Sequence, residues 1–203
     1  MAREDPVSSE RVLGGVLVGG ASRRMGAPKA ALSWRGRTLL EVAVAALEPS
    51  VDEVVLLGEL PEELNGLPVV AGLRRVADAV GVGGPLAGIL AALRAEPRAA
   101  WIIAACDQPR AEPVAARWLL SQREDDTLVV LPRSADGRVE PMPALFDPRA
   151  RALLEGMAER GERAPRMLAG RPGVVTPEIP RAIRRAWLSV NTPEDYERLC
   201  AEP

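Results

Sequence analysis

The sequence predicts an α/β fold of Rossmann-like type, in which a mainly parallel β-sheet lies between two layers of helices. Three observations support this three-layer α/β/α prediction. The apolar strand candidates are short, the segments between them often show helical spacing, and the two kinds of segment alternate along the chain. Strands that helices cover on both sides become uniformly apolar. In such a sheet, ligands bind beyond the carboxyl ends of the strands.

The first half of the chain opens with a buried strand and a helix. Val12–Val18 is short and apolar and ends at a pair of glycines, whereas Arg37–Leu47 repeats leucine and valine at helical spacing. The valine-rich run Val51–Leu57 predicts a second strand, and Pro68–Ala71 a short third one. Pro85–Ala95 predicts a helix with proline in its first turn, where the missing N–H costs nothing.

The second half continues the alternation. Trp101–Ala105 is a candidate buried strand. Pro143 falls inside a later strand and predicts an edge or a bulge, because proline cannot donate to the sheet. The prolines and glycine of Pro172–Pro180 predict a mobile loop. The remaining predicted elements are a helix at Pro113–Gln122, a strand at Thr127–Leu131, a turn at Asp136-Gly137, a strand at Met142–Phe146, helices at Arg149–Glu159 and Ala164–Ala169, a strand at Trp187–Val190 and a helix at Pro193–Cys200.

The length and composition indicate an ordinary globular protein. At roughly 150 residues per domain, 203 residues predict one domain. We expect it to span residues 11–203 after a flexible N-terminus at 1–10. The chain has 47% hydrophobic and 27% charged residues and a net charge of −2, which gives no support for nucleic-acid binding.

The sequence contains no histidine, which restricts its chemistry. Ser-His-Asp and Cys-His catalysis, histidine-bound zinc and an imidazole base are excluded. Carboxylates, cations, backbone groups and a metal ion remain. Lys29 is the only lysine, and every other basic side chain is arginine.

The cysteine content and the absence of targeting signals predict a cytoplasmic protein. Cys106 and Cys200 are too few for a disulfide framework. The N-terminus does not resemble a signal peptide. The longest uncharged stretch, Ala79–Leu93, is broken by glycine and proline and is shorter than the ~20 apolar residues of a membrane span. We therefore expect no contact with a membrane.

A glycine-rich loop at 17–30 follows the first predicted strand. It matches neither a Walker A loop, which needs Gly-Lys-Ser/Thr, nor a dinucleotide fingerprint, which needs a third glycine. Gly19 and Gly20 let a ligand approach the backbone, while Arg24 and Lys29 supply charge for a polyphosphate. A lysine in a chain that otherwise uses arginine indicates that a compact ammonium is needed. The alternative is a loop with surface cations and a chance lysine.

A second glycine-rich segment, 78–89, leads into the helix predicted at Pro85. Its glycines would present free N–H groups to a ligand, and Asp78 is placed to accept hydrogen bonds from a guanine edge or a ribose. The alternative is a helix start that needs only tight turns.

An aspartate follows the strand predicted at Trp101–Ala105. Asp107 is placed to hold Mg²⁺ through one carboxylate oxygen while a triphosphate supplies other ligands. Capping of the helix at Pro113 does not explain it, because Asp107 lies several residues too early. Cys106 beside it is interpreted as a small buried hydrophobic residue.

The segment 191–195 predicts a helix start. Thr192 is the expected cap, Pro193 occupies the first helical position, and acidic residues follow. Capping explains Thr192 onward and leaves Asn191 available for another role.

The loop at 17–30 resembles the signature of nucleotidyltransferases that act on molybdenum cofactor, and particularly of the guanylyltransferases. That signature is roughly Leu-Ala-Gly-Gly-x-Ser-x-Arg-Met-Gly-x-x-Lys. Here Val18 replaces the alanine, and Pro28 replaces the aspartate of many guanylyltransferases, as in the related cytidylyltransferases. The segment Gly84-Pro85-Leu86-Ala87-Gly88 after Asp78 is similar to the guanylyltransferase pattern, and Cys106-Asp107-Gln108-Pro109 to the metal-binding segment. The matched segments run from Leu13 to about Leu199.

The resemblance implies a fold, a cofactor and a set of site residues. The fold is that of the nucleotide-diphospho-sugar transferases, and the cofactor is Mg²⁺ held by Asp107. The implied catalytic residues are Lys29, Arg24 and Asp107. The implied nucleotide-binding residues are Leu17, Val18, Gly19, Gly20, Lys29, Asp78, Gly84, Pro85, Leu86 and Asp107. Glu140, in a segment similar to a Glu-Pro-Leu of the family, is implied on the substrate side, and Asn191 near the phosphates or metal. At Leu56-Leu57-Gly58 the chain lacks an asparagine that family members often use for the nucleotide.

The implied reaction joins GMP from GTP to molybdopterin carrying molybdenum and releases pyrophosphate. An ionised phosphate nucleophile needs no histidine, so catalysis rests on positioning and charge stabilisation. The implied partners are GTP, molybdopterin, and molybdoenzymes or other proteins of cofactor biosynthesis. An arginine-rich tract either receives the anionic pterin or is solvated surface: Arg163, Arg166, Arg171, Arg181, Arg184 and Arg185.

Three alternatives remain open from the sequence. A cytidylyltransferase of the same cofactor is favoured by Pro28, whereas Gly84-Pro85-Leu86 favours guanine. A nucleotidyltransferase for another small phosphate would use the same loops. A non-catalytic nucleotide sensor or cofactor-delivery protein is a more remote alternative, because the chain contains both Lys29 and Asp107.

Overall fold

A computed structural model describes residues 11–19 and 28–201 of the chain. In chain order its strands are β1 (Val12–Leu17), β2 (Ser33–Trp34), β3 (Arg37–Thr38), β4 (Glu53–Leu57), β5 (Arg74–Val76), β6 (Ala100–Ala105), β7 (Val129–Val130), β8 (Ala144–Phe146) and β9 (Val174–Val175). Its helices are α1 (Leu39–Leu47), α2 (Pro85–Ala95), α3 (Pro113–Ser121), α4 (Arg151–Glu159) and α5 (Pro193–Ala201).

The strands form a seven-stranded sheet in the order β5-β4-β1-β6-β8-β7-β9, with β2 and β3 as a separate hairpin. The neighbours from β5 to β6 are parallel. Strand β8 runs antiparallel to β6 and to β7, and β9 is parallel to β7. The sheet is therefore mostly parallel, and the predicted fold class is confirmed.

Two apolar cores lie on opposite faces of the sheet. Successive residues of a strand point to opposite faces. Trp101 and Ile103 of β6 accordingly belong to one core, and Ile102 belongs to the other. Helices α2 and α4 cover the first face, and α1 and α3 cover the second. This double burial explains why the central strands are continuous apolar runs.

Three predicted strands or helices are not found in the structure. Pro68–Val70 is a 3-10 turn rather than a strand, and the adjacent edge strand is β5. Arg184–Trp187 is also a 3-10 turn, so the strand predicted at Trp187–Val190 is wrong. Trp187 is buried by packing, and its indole Nε1 donates to the Pro143 carbonyl at 3.2 Å. The helix predicted at Ala164–Ala169 is a 3-10 turn at Pro165–Leu168.

The segment Pro172–Pro180 is more ordered than its composition suggests. It contains β9, and Glu178 forms a bridge with Arg133, so the prediction of a loop throughout is wrong. The edge or bulge predicted from Pro143 is wrong as well. Strand β8 begins at Ala144 and lies in the interior of the sheet, and the proline precedes its first residue.

Among residues 11–19 and 28–201, no helix is both long and apolar enough to span a membrane. Both cysteines are free thiols, Cys106 buried and Cys200 exposed.

Candidate active site

A cavity of about 370 Å³ opens at the carboxyl ends of β1, β4 and β6. This is the edge of the sheet at which the sequence predicted a ligand site. The cavity brings together eight of the predicted site residues, which are Leu17, Val18, Gly19, Lys29, Asp78, Gly84, Pro85 and Asp107.

The other predicted site residues lie elsewhere. Gly20 and Arg24 fall outside the described residues. Leu86 is fully buried in the core rather than in the cavity wall. Glu140 is paired with Arg138, at 3.0 Å from Arg138 Nη2, and does not line the cavity. Asn191 reaches the site through Lys29.

The Lys29 ammonium lies between a carboxylate and an amide oxygen. Its Nζ donates to Asn191 Oδ1 at 2.8 Å and to Asp107 Oδ2 at 3.4 Å. A short 3-10 turn at Lys29–Ala31 begins directly after Pro28 and sets the backbone at this position. The lone lysine is therefore built into the cavity wall and is not a surface cation.

Asp107 is held at the end of β6 in a partly buried position. Its carboxylate has a pKa raised above the usual value because burial disfavours the charged form, although the charge and hydrogen bond of Lys29 partly oppose this shift. The Asp107 carbonyl accepts a hydrogen bond from the Val190 N–H at 2.8 Å. This bond ties β6 to the segment that carries Asn191.

The start of α5 positions the Asn191 side chain. Its Nδ2 donates to Ser189 Oγ at 2.8 Å, which turns Oδ1 toward Lys29. The Asp195 carboxylate accepts hydrogen bonds from the backbone N–H groups of Asn191 and Thr192, each at 3.0 Å. Thr192 Oγ1 accepts from Asp195 N at 3.2 Å, so the predicted Thr192 cap is confirmed. Sequence reasoning missed the contribution of Asp195 to holding Asn191.

The ionisation of Asp195 makes the stability of the fold depend on pH. The backbone hydrogen bond from Asn191 and the hydrogen bond from Arg198 lower the pKa of Asp195 from 3.8 to about 2. A depressed folded-state pKa stabilises the fold above the unfolded value, and this contribution is lost as pH falls through the folded value. We expect Asp195→Asn to melt below the wild type at neutral pH, and this difference to shrink between about pH 4 and about pH 2. Melting curves of both proteins across that range test this, and a difference independent of pH would contradict it.

The first turn of α2 forms another side of the cavity. Gly84, Pro85, Ala87 and Gly88 line it, and no side chain caps this helix start within the described residues. Pro85 has no N–H and the Ala87 N–H donates to the Gly84 carbonyl at 3.0 Å, so this helix start acts on the cavity through the positive end of the helix dipole. This side of the cavity therefore favours an anion.

Asp78 lies beside the first turn of α2, and its Oδ1 would lie 3.3 Å from a Cβ at Gly88. Its carboxyl pKa is raised by partial burial. A cation, or a donor such as an amide or hydroxyl, would stabilise the ionised form of Asp78.

Two glycines that the sequence analysis did not assign to the site shape its wall. Gly58 ends β4 with a φ of +96°, and a Cβ there would lie 3.1 Å from Gly19 N. Only glycine combines this conformation with this approach. A Cβ at Gly88 would collide with Leu17 Cδ2, which lines the same cavity. In the sequence, Gly58 directly follows a predicted strand and Gly88 lies inside a predicted helix, and either position could have indicated a close backbone approach.

Cys106 lines the cavity but is not a nucleophile. Burial, and then the neighbouring charge of Asp107, raise the pKa of the thiol far above its usual value. The thiol stays neutral, as expected for a small buried residue.

The carboxylates of the cavity fit a metal ion that is shared with a phosphate substrate. Asp78 and Asp107 both line it, and no cluster of three acidic, cysteine or histidine side chains occurs in the described part of the chain. Mg²⁺ in phosphoryl-transfer sites is bound by one or two carboxylates together with substrate phosphates and water. The two carboxylates present match that donor set.

A mostly parallel sheet with a lysine, two carboxylates and a helix start at the carboxyl ends of its strands is the arrangement expected of a nucleotidyltransferase. Comparison with known proteins agrees with this. Residues 14–174 match the MobA-like NTP transferase domain, and the chain belongs to that family.

Relatives and solved structures match 90% of the chain or more. A probable molybdenum cofactor guanylyltransferase of Pelotomaculum thermopropionicum is 35% identical over 187 residues, which cover 90% of this chain and 88% of the relative. The crystal structure of molybdopterin-guanine dinucleotide biosynthesis protein A from Archaeoglobus fulgidus is 24% identical, with a TM-score of 0.75 and coverage of 93% and 96%. Rv0371c of Mycobacterium tuberculosis in complex with manganese is 24% identical, with a TM-score of 0.67 and coverage of 95% and 100%.

Proposed function

We propose that this enzyme transfers GMP from GTP to molybdopterin carrying molybdenum and releases pyrophosphate. The observation that carries the proposal is the convergence of Lys29, Asp107 and Asn191, joined by contacts of 2.8 and 3.4 Å, at the carboxyl edge of the sheet. The relative with 35% identity over most of both chains, named a probable molybdenum cofactor guanylyltransferase, supports the substrates. We also propose that residues 11–203 act as one domain in the cytoplasm.

Different residues of the cavity would bind different parts of GTP. Gly84 and the first turn of α2 line the cavity, and the positive end of the helix dipole there suits an anionic or carbonyl group of the nucleotide. Gly19, packed against Gly58 and Asp78, leaves the backbone open to the ligand. Lys29 would neutralise phosphate oxygens as charge develops on the leaving pyrophosphate. The acceptor phosphate is ionised at neutral pH, so no proton-accepting histidine is required.

We propose Mg²⁺ as the metal, with Asp107 as its protein ligand. The family normally uses a divalent metal, and a structural neighbour is described in complex with manganese. When bound, the ion supplies positive charge to the phosphates that Lys29 alone does not balance. Burial raises the pKa of Asp107, and a bound cation would lower it by stabilising the carboxylate. Metal binding and ionisation of Asp107 would therefore favour each other.

The acceptor is expected on the side of the cavity formed by residues near β8 and α5. Gln108, which follows Asp107, donates from Nε2 to the Met142 carbonyl at 2.6 Å and thereby places segment 140–143 beside the site. We propose that Glu140 and Asn191 contact the acceptor from this side. Of the arginine tract, Arg163 packs against Gly83, next to the first turn of α2, whereas Arg171 and Arg185 form ion pairs with Glu162 and Glu112.

A cytidylyltransferase remains the second candidate, because Pro28 lines the nucleotide cavity. The test is pyrophosphate release with molybdenum cofactor and each of ATP, GTP, CTP and UTP. We expect turnover with GTP. GTP in Mg²⁺ should also raise the melting temperature more than CTP does, since a ligand that binds only the folded state stabilises it. Equal shifts, or turnover with CTP instead, would contradict the base assignment. No release with any nucleotide would favour a sensor or delivery protein.

A further inference from the structure

Helix α5 carries the only tyrosine of the chain, Tyr196. Its hydroxyl donates a hydrogen bond to the Ser33 carbonyl at 2.5 Å. Ser33 is the first residue of β2 and closely follows the turn at Lys29–Ala31. The bond therefore joins α5 to the segment that carries Lys29. Neither Tyr196 nor Ser33 lines the nucleotide cavity, and the proposed reaction gives neither of them a role.

Two side-chain hydrogen bonds connect the same two segments of the chain. At one end, Lys29 Nζ donates to Asn191 Oδ1 at 2.8 Å, and at the other end the Tyr196 hydroxyl donates to Ser33. Within the second segment, the Tyr196 N–H donates to the Thr192 carbonyl at 3.2 Å, so the backbone between the two bonds is helical from its first turn. A change in the position of Tyr196 would therefore be transmitted to Asn191.

The segment at 29–33 is attached firmly to the rest of the protein. Ala30 is buried in one of the two apolar cores. The Leu32 carbonyl accepts a hydrogen bond from the Leu39 N–H at 2.9 Å, at the start of α1, and most residues of that helix are buried. The Ser33 carbonyl is therefore a fixed acceptor for a bond from α5.

Helix α5 has few attachments of its own. Leu199 is the only buried side chain among residues 193–201, which the structure describes in full. Arg198 pairs with Asp195 of the same helix, and this contact does not hold the helix against the sheet. Asn191, just before the helix, is exposed. Holding an exposed side chain in one contact opposes its rotamer freedom, so the contact of Asn191 depends on how firmly its backbone is placed.

We propose that Tyr196 is a positioning residue, which holds the start of α5 so that Asn191 Oδ1 stays on Lys29 Nζ. The bond from the Val190 N–H to the Asp107 carbonyl fixes the chain before Asn191, and the Tyr196 hydroxyl fixes the chain after it. Lys29 then keeps its charge in one place as charge develops on the phosphates. The effect on turnover rests on the proposed nucleotidyl transfer, whereas the effect on the position of Lys29 does not.

The composition of the chain permits a direct test on the full-length protein. Because Lys29 is the only lysine, labelling with lysine that carries carbon-13 at Cε gives one side-chain NMR signal. Tyr196→Phe removes the hydroxyl and keeps the ring. We expect it to move the Lys29 signal in the same direction as Asn191→Ala, which removes the contact outright. Added to Asn191→Ala, it should move the signal no further, because its effect passes through Asn191.

Ser121→Ala is the matched control. It also removes a hydrogen bond from a side-chain hydroxyl to a backbone carbonyl, that of Ser121 Oγ to Trp118 at 2.7 Å, but at the last residue of α3. The Lys29 signal and the turnover of this variant should match those of the wild type.

Kinetics separate positioning from a contribution to stability alone. In pyrophosphate release with GTP, we expect Tyr196→Phe to lower kcat by about two- to tenfold, the range that one hydrogen bond of ordinary net strength accounts for. The KM for GTP should change less, because Lys29 acts mainly on charge that develops in the transition state. A residue that only stabilised the fold would lower the melting temperature and leave kcat unchanged at temperatures where the variant is folded.

Three results would overturn the proposal. They are an unmoved Lys29 signal in Tyr196→Phe, an equal movement of that signal in Ser121→Ala, and a movement in Tyr196→Phe that persists in full after Asn191→Ala. An unchanged kcat in Tyr196→Phe would overturn its part in the reaction. If the wild type released no pyrophosphate with any nucleotide, the proposed reaction would fail, and the Lys29 signal would still decide the role of Tyr196.

Discussion

Asp107→Asn should fold as the wild type does and lose at least ~10²-fold in pyrophosphate release, the usual effect of removing a group that stabilises transition-state charge. The substitution keeps the size of the side chain and removes only its charge. Lys29 Nζ, 3.4 Å from the carboxylate, would still have Asn191 Oδ1 as an acceptor at 2.8 Å, so the local geometry should survive. Turnover near the wild-type rate would remove Asp107 from the mechanism.

The stability of the same variant gives an independent check. The folded-state pKa of Asp107 is raised, so the ionised carboxylate destabilises the fold at pH values above both its unfolded and its folded pKa. Asparagine removes this net penalty, in which the attraction to Lys29 is already included. We therefore expect Asp107→Asn to melt at or slightly above the wild type at neutral pH without ligand, and the two to converge as acid protonates Asp107. A large drop in melting temperature would mean that lost activity reflects misfolding.

Lys29→Arg should abolish most turnover in a protein that remains folded. The ammonium is a compact point charge, whereas guanidinium is larger, planar and forked. The adjoining cavity has room for the larger side chain, but a planar fork cannot place one compact charge between Asp107 Oδ2 and Asn191 Oδ1. We expect the free energy of unfolding to stay within about 0.5 kcal/mol of the wild type, the usual range away from the core.

The matched control for Lys29→Arg is the reverse exchange at an ordinary position. Arg75 is exposed on the edge strand β5, and Arg75→Lys should leave both kinetics and melting unchanged. If the Lys29→Arg variant turned over as fast as the wild type, the reaction would not require lysine at this position of the cavity. Lost activity with an unchanged melting curve would establish that the chain needs lysine at this position.

The sequence predicted the central strands well because burial on both faces leaves a continuous apolar run. Strands β1, β4 and β6 are of this kind, and their predicted bounds lie within two residues of the structure. Shorter strands carry less signal. Val129–Val130 and Val174–Val175 pair over only two residues, and Arg74–Val76 contains two arginines, so local composition did not identify the last two. Trp187 is buried because it packs against the segment around Pro143, and not because it lies in a strand. The apolar pattern around it was therefore wrongly interpreted as a strand.

The site was predictable to the extent that it depends on strand order. Lys29, Asp78 and Asp107 follow strands or precede a helix at one edge of a parallel sheet, and such positions converge. The contacts that fix the exact positions of the site residues depend on local backbone conformation, which strand order does not predict. The positive φ of Gly58 and the hydrogen bonds of Asp195 to the backbone of 191 and 192 have no periodic pattern in the sequence.

Strand β8 runs opposite to β6, and this reversal separates the nucleotide side of the enzyme from a side whose sequence can vary more freely. On the nucleotide side, parallel strands end at the active edge, and their last residues Leu17, Leu57 and Ala105 line the cavity. On the other side, β8 begins at that edge, so the chain makes an excursion at 131–143 between β7 and β8. Arg133 within it pairs with Val139 and Glu178, so the part that the sheet register does not constrain is the tip at 134–138. If Glu140 contacts the acceptor as proposed, we expect that lengthening or exchanging the tip of this excursion alters acceptor recognition and leaves nucleotide binding intact, because no residue of 131–143 lines the nucleotide cavity.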